Sequence, residues 1–185
     1  MGSGAKVMSQ ASIEIVKEFF IINNFLVLQK DDILFVQNAE VNEPEEIDKF
    51  ILSGSEVSKV VKDGVVKPVC WHTMKFTPVV LSRFPEIFEF VKGKHTLESK
   101  RYFHGDSFKK MLVIPSLPAS DNLRKESIRI MREKGIDHVI TFPSIIAHFI
   151  EKIEPRSVYL SSINEIFRVL KFYKFFADRE QKLPF

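Results

Sequence analysis

Residues 111–153 constrain the fold most. Met111-Leu-Val-Ile114 is a short apolar run closed by Pro115 and Pro118, the signature of a strand. A helix is predicted over 120–134, opened by a Ser-Asp-Asn cap cluster and ended by Arg132-Glu-Lys-Gly135, a cationic last turn with glycine at the C-cap. Ile136-Asp-His-Val-Ile-Thr-Phe142 is a second strand, and a further helix over 143–153 follows at once. Strand, capped helix, glycine, strand is a βαβ unit, for which a right-handed crossover and parallel strands are expected. The chain is therefore assigned to the α/β class. In the last of these helices Ile145, Ile146, Phe149, Ile150 and Ile153 form one stripe, which predicts His148 on the opposite, solvated face.

The stretch from Val65 to Phe76, V-V-K-P-V-C-W-H-T-M-K-F, holds the only tryptophan and the only cysteine, followed directly by the first histidine. Val65, Val66, Val69 and Cys70 predict a buried strand over 65–71, with Trp71-His72-Thr73 emerging at its end, where α/β proteins place their sites. Asp63-Gly64 is read as a turn just before it. Thr77 is a good N-cap and Pro78 a good first helical residue; Pro85 should interrupt that helix and start a short second one to residue 91, with Ile87, Phe88 and Val91 inward.

Upstream, Ile13, Val16, Phe19, Phe20 and Asn23 recur at helical spacing within 9–24. Two apolar runs, 25–29 and 33–37, flank Lys30-Asp31-Asp32 and predict a β-hairpin. The acidic segment 38–46 leads to a short helix expected over 45–52, and 53–58 is flexible in composition. Residues 92–110 set six cationic side chains against Glu98 and Asp106, with Tyr102, Phe103 and Phe108 interleaved, and read as a basic loop and the best contact surface. A final helix over 161–177 is apolar all round, with Ile163, Ile166, Phe167, Leu170 and Tyr173 on one side and Val169, Phe172, Phe175 and Phe176 on the other. Such a helix is either buried or shared with a partner subunit.

The 185 residues suit one domain, taken as 9–185, with 1–8 set apart as a disordered tail or an expression scar ahead of Met8. No run is long and apolar enough to span a membrane, so no membrane partner is expected. A lone Cys70 leaves no internal disulfide and agrees with a cytoplasmic location. A net charge of +3 permits nucleic-acid binding without requiring it. Phosphate loops, nucleophile elbows, His-Glu-x-x-His helices and zinc-finger spacings are absent from the sequence.

The order helix, β-hairpin, strand, helix, βα pair and further helix resembles the restriction-endonuclease-like core of the PD-(D/E)XK superfamily. The resemblance covers most of the chain from the first helix onward, and its motifs are weakly specific. It implies a mixed central sheet flanked by helices, with an acid on the first helix, an Asp on the second strand and a Glu-x-Lys on the third. In that arrangement carboxylates hold Mg²⁺ or Mn²⁺ to activate water at a phosphodiester. Carried over, Glu18 is the first-helix acid and Asp32 the strand-two acid. The third motif departs from the pattern: Lys67, Val69 and Cys70 stand where Glu, Lys and Gly would be. A cation in place of the strand-three carboxylate argues against efficient metal-dependent cleavage.

Backbone binding needs only positive charge and donors. The resulting expectation is a nucleic-acid-binding or assembly module using Trp71, His72, Lys75, Lys94, Lys100, Arg101, Lys109 and Lys110, with no cofactor. The alternatives are an active metal-dependent phosphodiesterase and a homo-oligomer built through the C-terminal helix. Blander readings stand beside these: Trp71 as packing, Cys70 as a small buried hydrophobe, His72 as a hydrogen-bonded histidine, Glu18 as a solvated charge and Asp32 as a turn residue.

Overall fold

The computed structural model describes residues 9–176. Helix α1 (Gln10–Ile22) ends where Asn23 caps it and Asn24 takes a positive φ of 65°. Strands β1 (Phe25–Lys30) and β2 (Ile33–Asn38) form the predicted hairpin. Then come β3 (Ile51–Leu52), α2 (Val57–Val60), β4 (Asp63–Pro68), α3 (Pro78–Arg83), a 3-10 helix (Pro85–Val91) and α4 (Gly93–Tyr102). The βαβ unit is β5 (Lys109–Ile114), α5 (Asp121–Glu133) and β6 (His138–Thr141), with Gly135 at φ 89° after α5. Helices α6 (Phe142–Lys152) and α7 (Ser162–Phe172) complete the described chain.

The six strands form one mixed sheet in the order β1-β2-β4-β5-β6-β3. The β1, β2 and β4 contacts are antiparallel, and β4, β5, β6 and β3 run parallel. The protein is thus α/β, a mixed sheet covered by helices on both faces, as the βαβ pattern requires. Alternation along the strands separates two apolar layers. Leu34, Val36, Val66, Met111, Val113 and Ile140 face α1, α6 and α7. Ile33, Phe35, Val65, Leu112, Ile114 and Val139 face α3, the 3-10 helix and α5.

Local composition was overruled in several places. The helix expected over 45–52 is absent: Ile51 packs against the layer under α3 and α5 and Leu52 enters the layer under α1 and α6, the opposite faces that successive strand residues take. Val139 N–H donates to Phe50 O at 2.7 Å as β3 joins β6. Residues 53–58 are tied down, because Glu56 accepts from Ser53 N–H at 2.8 Å, Ser53 Oγ at 2.7 Å and Lys49 Nζ at 2.6 Å. Those donors hold its carboxyl down at about 2. Asp63-Gly64 opens β4 rather than turning before it, and β4 ends at Pro68 instead of 71. Gly64 fits there because a side chain would meet Met111 Cε at 2.5 Å and Lys109 O at 3.3 Å.

Residues 92–110 are mostly helix α4 rather than a loop. Their aromatic residues pack inward: Phe103 stacks on Phe108 at 5.4 Å, and Tyr102 lies 5.2 Å from Phe35. His148 is buried, not solvated. At 100° per residue it sits about 60° round α6 from Ile145, next to the buried stripe, where Asn23 and Phe19 close over it. Helix α7 is exposed along Ile166, Val169 and Phe172 instead of being buried all round. Ala177 and residues 1–8 lie outside the described residues.

Candidate functional site

Strands β4, β5 and β6 end along one edge of the sheet, and the segments leaving them build an open cleft of about 470 Å³. After β4, Val69 N–H still donates to Val113 O at 2.7 Å, and the chain then turns out through Trp71. Trp71 packs against Phe84 at 5.0 Å and Phe76 at 6.0 Å, while His72 and Lys75 stay exposed. Phe76 is fully buried and its N–H donates to Ser116 O at 3.0 Å, which pins the far end of the loop to the segment after β5. Trp71 and Phe76 thus hold the loop while His72 leans over the cleft.

Phe142, Ile146 and Ile150, spaced one helical turn apart on α6, form one wall of the cleft; His72, Pro115 and Ser116 form the other. The His72 ring meets Phe142 edge-on at 4.5 Å, and its Nε2 lies 3.0 Å from Ser12 Oγ on α1. The lining is apolar, with an imidazole and a hydroxyl at the rim and the Lys75 ammonium on the loop beside it. Such a surface offers ring faces for contact and positive charge, and among the described residues no carboxylate pairs with the His72 ring that meets Ser12.

The acids carried over from the family resemblance have separate partners. Asp32 lies in the hairpin turn before β2, not on the strand itself, and pairs with Lys67, whose side chain is only 16% exposed on β4. Glu18 accepts from Asn164 Nδ2 at 3.3 Å and links α1 to α7 on the other side of the sheet. Among the described residues no group of three or more His, Cys, Asp or Glu side chains is placed to hold a metal ion. Cys70 is buried, and burial pushes its thiol up to about 12, so it is a packing group and not a nucleophile.

The cationic residues do not form one surface. Lys109 and Lys110 start β5, at the opposite end of the parallel strands from His72 and Lys75, a strand length of roughly 20 Å. Lys100 pairs with Asp106 at 2.9 Å, and Arg101 is exposed on α4. Lys94 stands one turn before Glu98, which pairs with Lys30. Lys94, Lys30 and Lys67 therefore gather near the hairpin, at the same sheet edge as the cleft.

Sequence reasoning missed Ser12, Ser116 and the wall residue Phe142. The Phe142, Ile146, Ile150 row was visible at i, i+4 spacing, yet it merged with the buried stripe beside it. Nothing marked Ser12, which becomes relevant only when α1 crosses the end of β4. No described helix is long and apolar enough to cross a membrane. Comparison of the chain with known family models, curated proteins and solved structures returns no match.

Proposed function

We propose that this chain is a nucleic-acid-binding module on a nuclease-like α/β framework, without metal-dependent cleavage. The observation that carries the reading is the Lys67–Asp32 ion pair. At the strand position where the resemblance calls for a carboxylate, Lys67 neutralises Asp32, the acid of the adjacent hairpin turn. A divalent cation there would have to displace the ammonium and would meet one carboxylate instead of a cage. Binding survives that loss, since phosphate contacts require only cations and donors. Exposed His72 and Lys75 beside the apolar cleft, with Lys94 at the same edge, supply both charge and a ring surface for an unstacked base.

Mobility-shift titrations at several salt concentrations test this. Wild type binds at low salt and weakens linearly in log–log form as salt rises. Lys75→Glu with Lys94→Glu weakens binding and flattens that slope, by about one unit per phosphate contact removed. Absence of binding at low salt, or indifference to salt, would sink the reading. Cleavage by the wild type with magnesium or manganese would return the phosphodiesterase alternative to first place, and Lys67→Glu measures what the lysine suppresses.

A further inference from the structure

Strand β1 ends the sheet, and its backbone faces can be assigned from the ladder. Asn38 N–H donates to Lys62 O at 2.7 Å, one step beyond the Gln37–Asp63 pair of the β2–β4 register. Alternation then turns the polar groups of Asn38, Val36 and Leu34 toward β4, and those of Gln37, Phe35 and Ile33 toward β1. These last three oppose Leu26, Leu28 and Lys30. Phe25, Val27 and Gln29 therefore aim their N–H and C=O groups outward from the free edge. Among the described residues these groups make no hydrogen bond to another element.

This edge lacks the usual protections. Its register with β2 is unbroken over six residues, without proline or bulge, whereas the opposite edge strand β3 has two residues. Leu26 and Leu28, on the face away from α1, are 63% and 47% exposed.

We propose that β1 pairs antiparallel with β1 of a second copy of this chain, about a two-fold axis through Val27, so that one sheet runs through a dimer. In that register Val27 opposes Val27 and Phe25 opposes Gln29, all with outward polar groups, so each pair exchanges two backbone hydrogen bonds. Leu26 opposes Leu28 twice, in the closely spaced pairs where side chains approach best. Lys30 opposes Asn24 of the second copy, and Asn24 Nδ2 donates to Glu40 Oε2 at 2.8 Å. Lys30, already paired with Glu98 of its own chain, thus faces the Asn24–Glu40 pair of the second copy, and the same contact recurs across the two-fold, as an isologous contact requires. A one-residue slip turns the leucines to opposite faces. Two-residue slips set Leu26 against Lys30 or Leu28 against Asn24.

Sedimentation of the full chain, with thiol cross-linking, tests the pairing. Wild type is expected to dimerise with concentration, and Leu28→Lys to become monomeric with an unchanged circular dichroism spectrum. Under mild oxidation an equimolar mixture of Leu26→Cys and Leu28→Cys proteins cross-links, while either alone does not; Cys70 is buried and stays silent. A wild type that remains monomeric, cross-linking by Leu26→Cys alone, or a dimer that resists Leu28→Lys but dissolves with Phe172→Ser would each overturn the proposal. The last result would move assembly to α7.

Discussion

His148 shows at single-residue scale how a buried polar group is specified. Asn23 Nδ2 donates to Phe19 O at 2.7 Å, which leaves its Oδ1 to accept from His148 Nε2 at 2.9 Å. The contact places a proton on Nε2, and burial pushes the pKa below the ordinary value, which favours the neutral ring. Asn23→Ala strands that N–H in an apolar layer and is expected to cost about 1–3 kcal/mol in urea unfolding. Gly54 is constrained by the same side chain. A Cβ at residue 54 would lie 2.6 Å from His148 Cβ and 2.9 Å from Cγ, atoms fixed by helix α6. Gly54→Ala is therefore expected to destabilise by about 1–3 kcal/mol. Gly64→Ala should cost less, because the nearest atom there is the mobile end of Met111. Equal costs for the two substitutions would contradict this account.

Among the elements, α7 is held by few contacts. Phe167 stacks on Phe149 of α6 with centroids 4.9 Å apart and planes 7° from parallel. Lys171 Nζ donates to Ile153 O at 2.9 Å, and Arg168 Nη1 to Pro155 O at 3.1 Å, capturing carbonyls beyond or at the end of α6. Phe167→Ala should cost about 3 kcal/mol and raise hydrogen exchange across α7 first. Phe172→Ser, on the exposed side, should change monomer stability by less than about 0.5 kcal/mol. The helix was legible from its apolar spacing, but which apolar residues would be covered was not. Val169, Phe172 and Phe167 look alike in a list; only the position of Phe149 selects Phe167. The error over 45–52 has the same origin, because a two-residue strand carries no period of its own and forms only when β6 offers an edge.

For the whole molecule, two buried histidines are expected to make stability fall as pH drops below neutrality. His138 Nδ1 donates to Lys49 O at 2.9 Å, and neither His138 Nε2 nor His148 Nδ1 has a hydrogen-bond partner among the described residues. Burial is the first cause lowering both pKa values below 6.5. The unfolded chain therefore takes up protons first as pH falls. The stability these neutral histidines contribute is full above about pH 6.5 and is lost from there down toward their folded pKa values. The loss is at most about 1.4 kcal/mol per pH unit for each histidine. Denaturant midpoints measured from pH 7.5 to pH 5.5, about a unit either side of the ordinary histidine pKa, should fall. Flat midpoints would contradict the buried neutral assignment. Glu56 adds a second decline only below pH 4.5, as its carboxylate is protonated on the way to about 2.

The sequence by itself determined the α/β class, the hairpin, the βαβ unit and the Thr77–Pro78 and Pro85 helix starts, because periodicity and capping act over a few neighbouring residues. The tertiary structure alone decided that Asp32 belongs to Lys67 and Glu18 to Asn164, that His148 is inside, and that the cations of 92–110 divide between two ends of the sheet. Those outcomes depend on which strands and helices become neighbours. No local pattern encodes that choice, which is made when the two apolar faces of one sheet are covered.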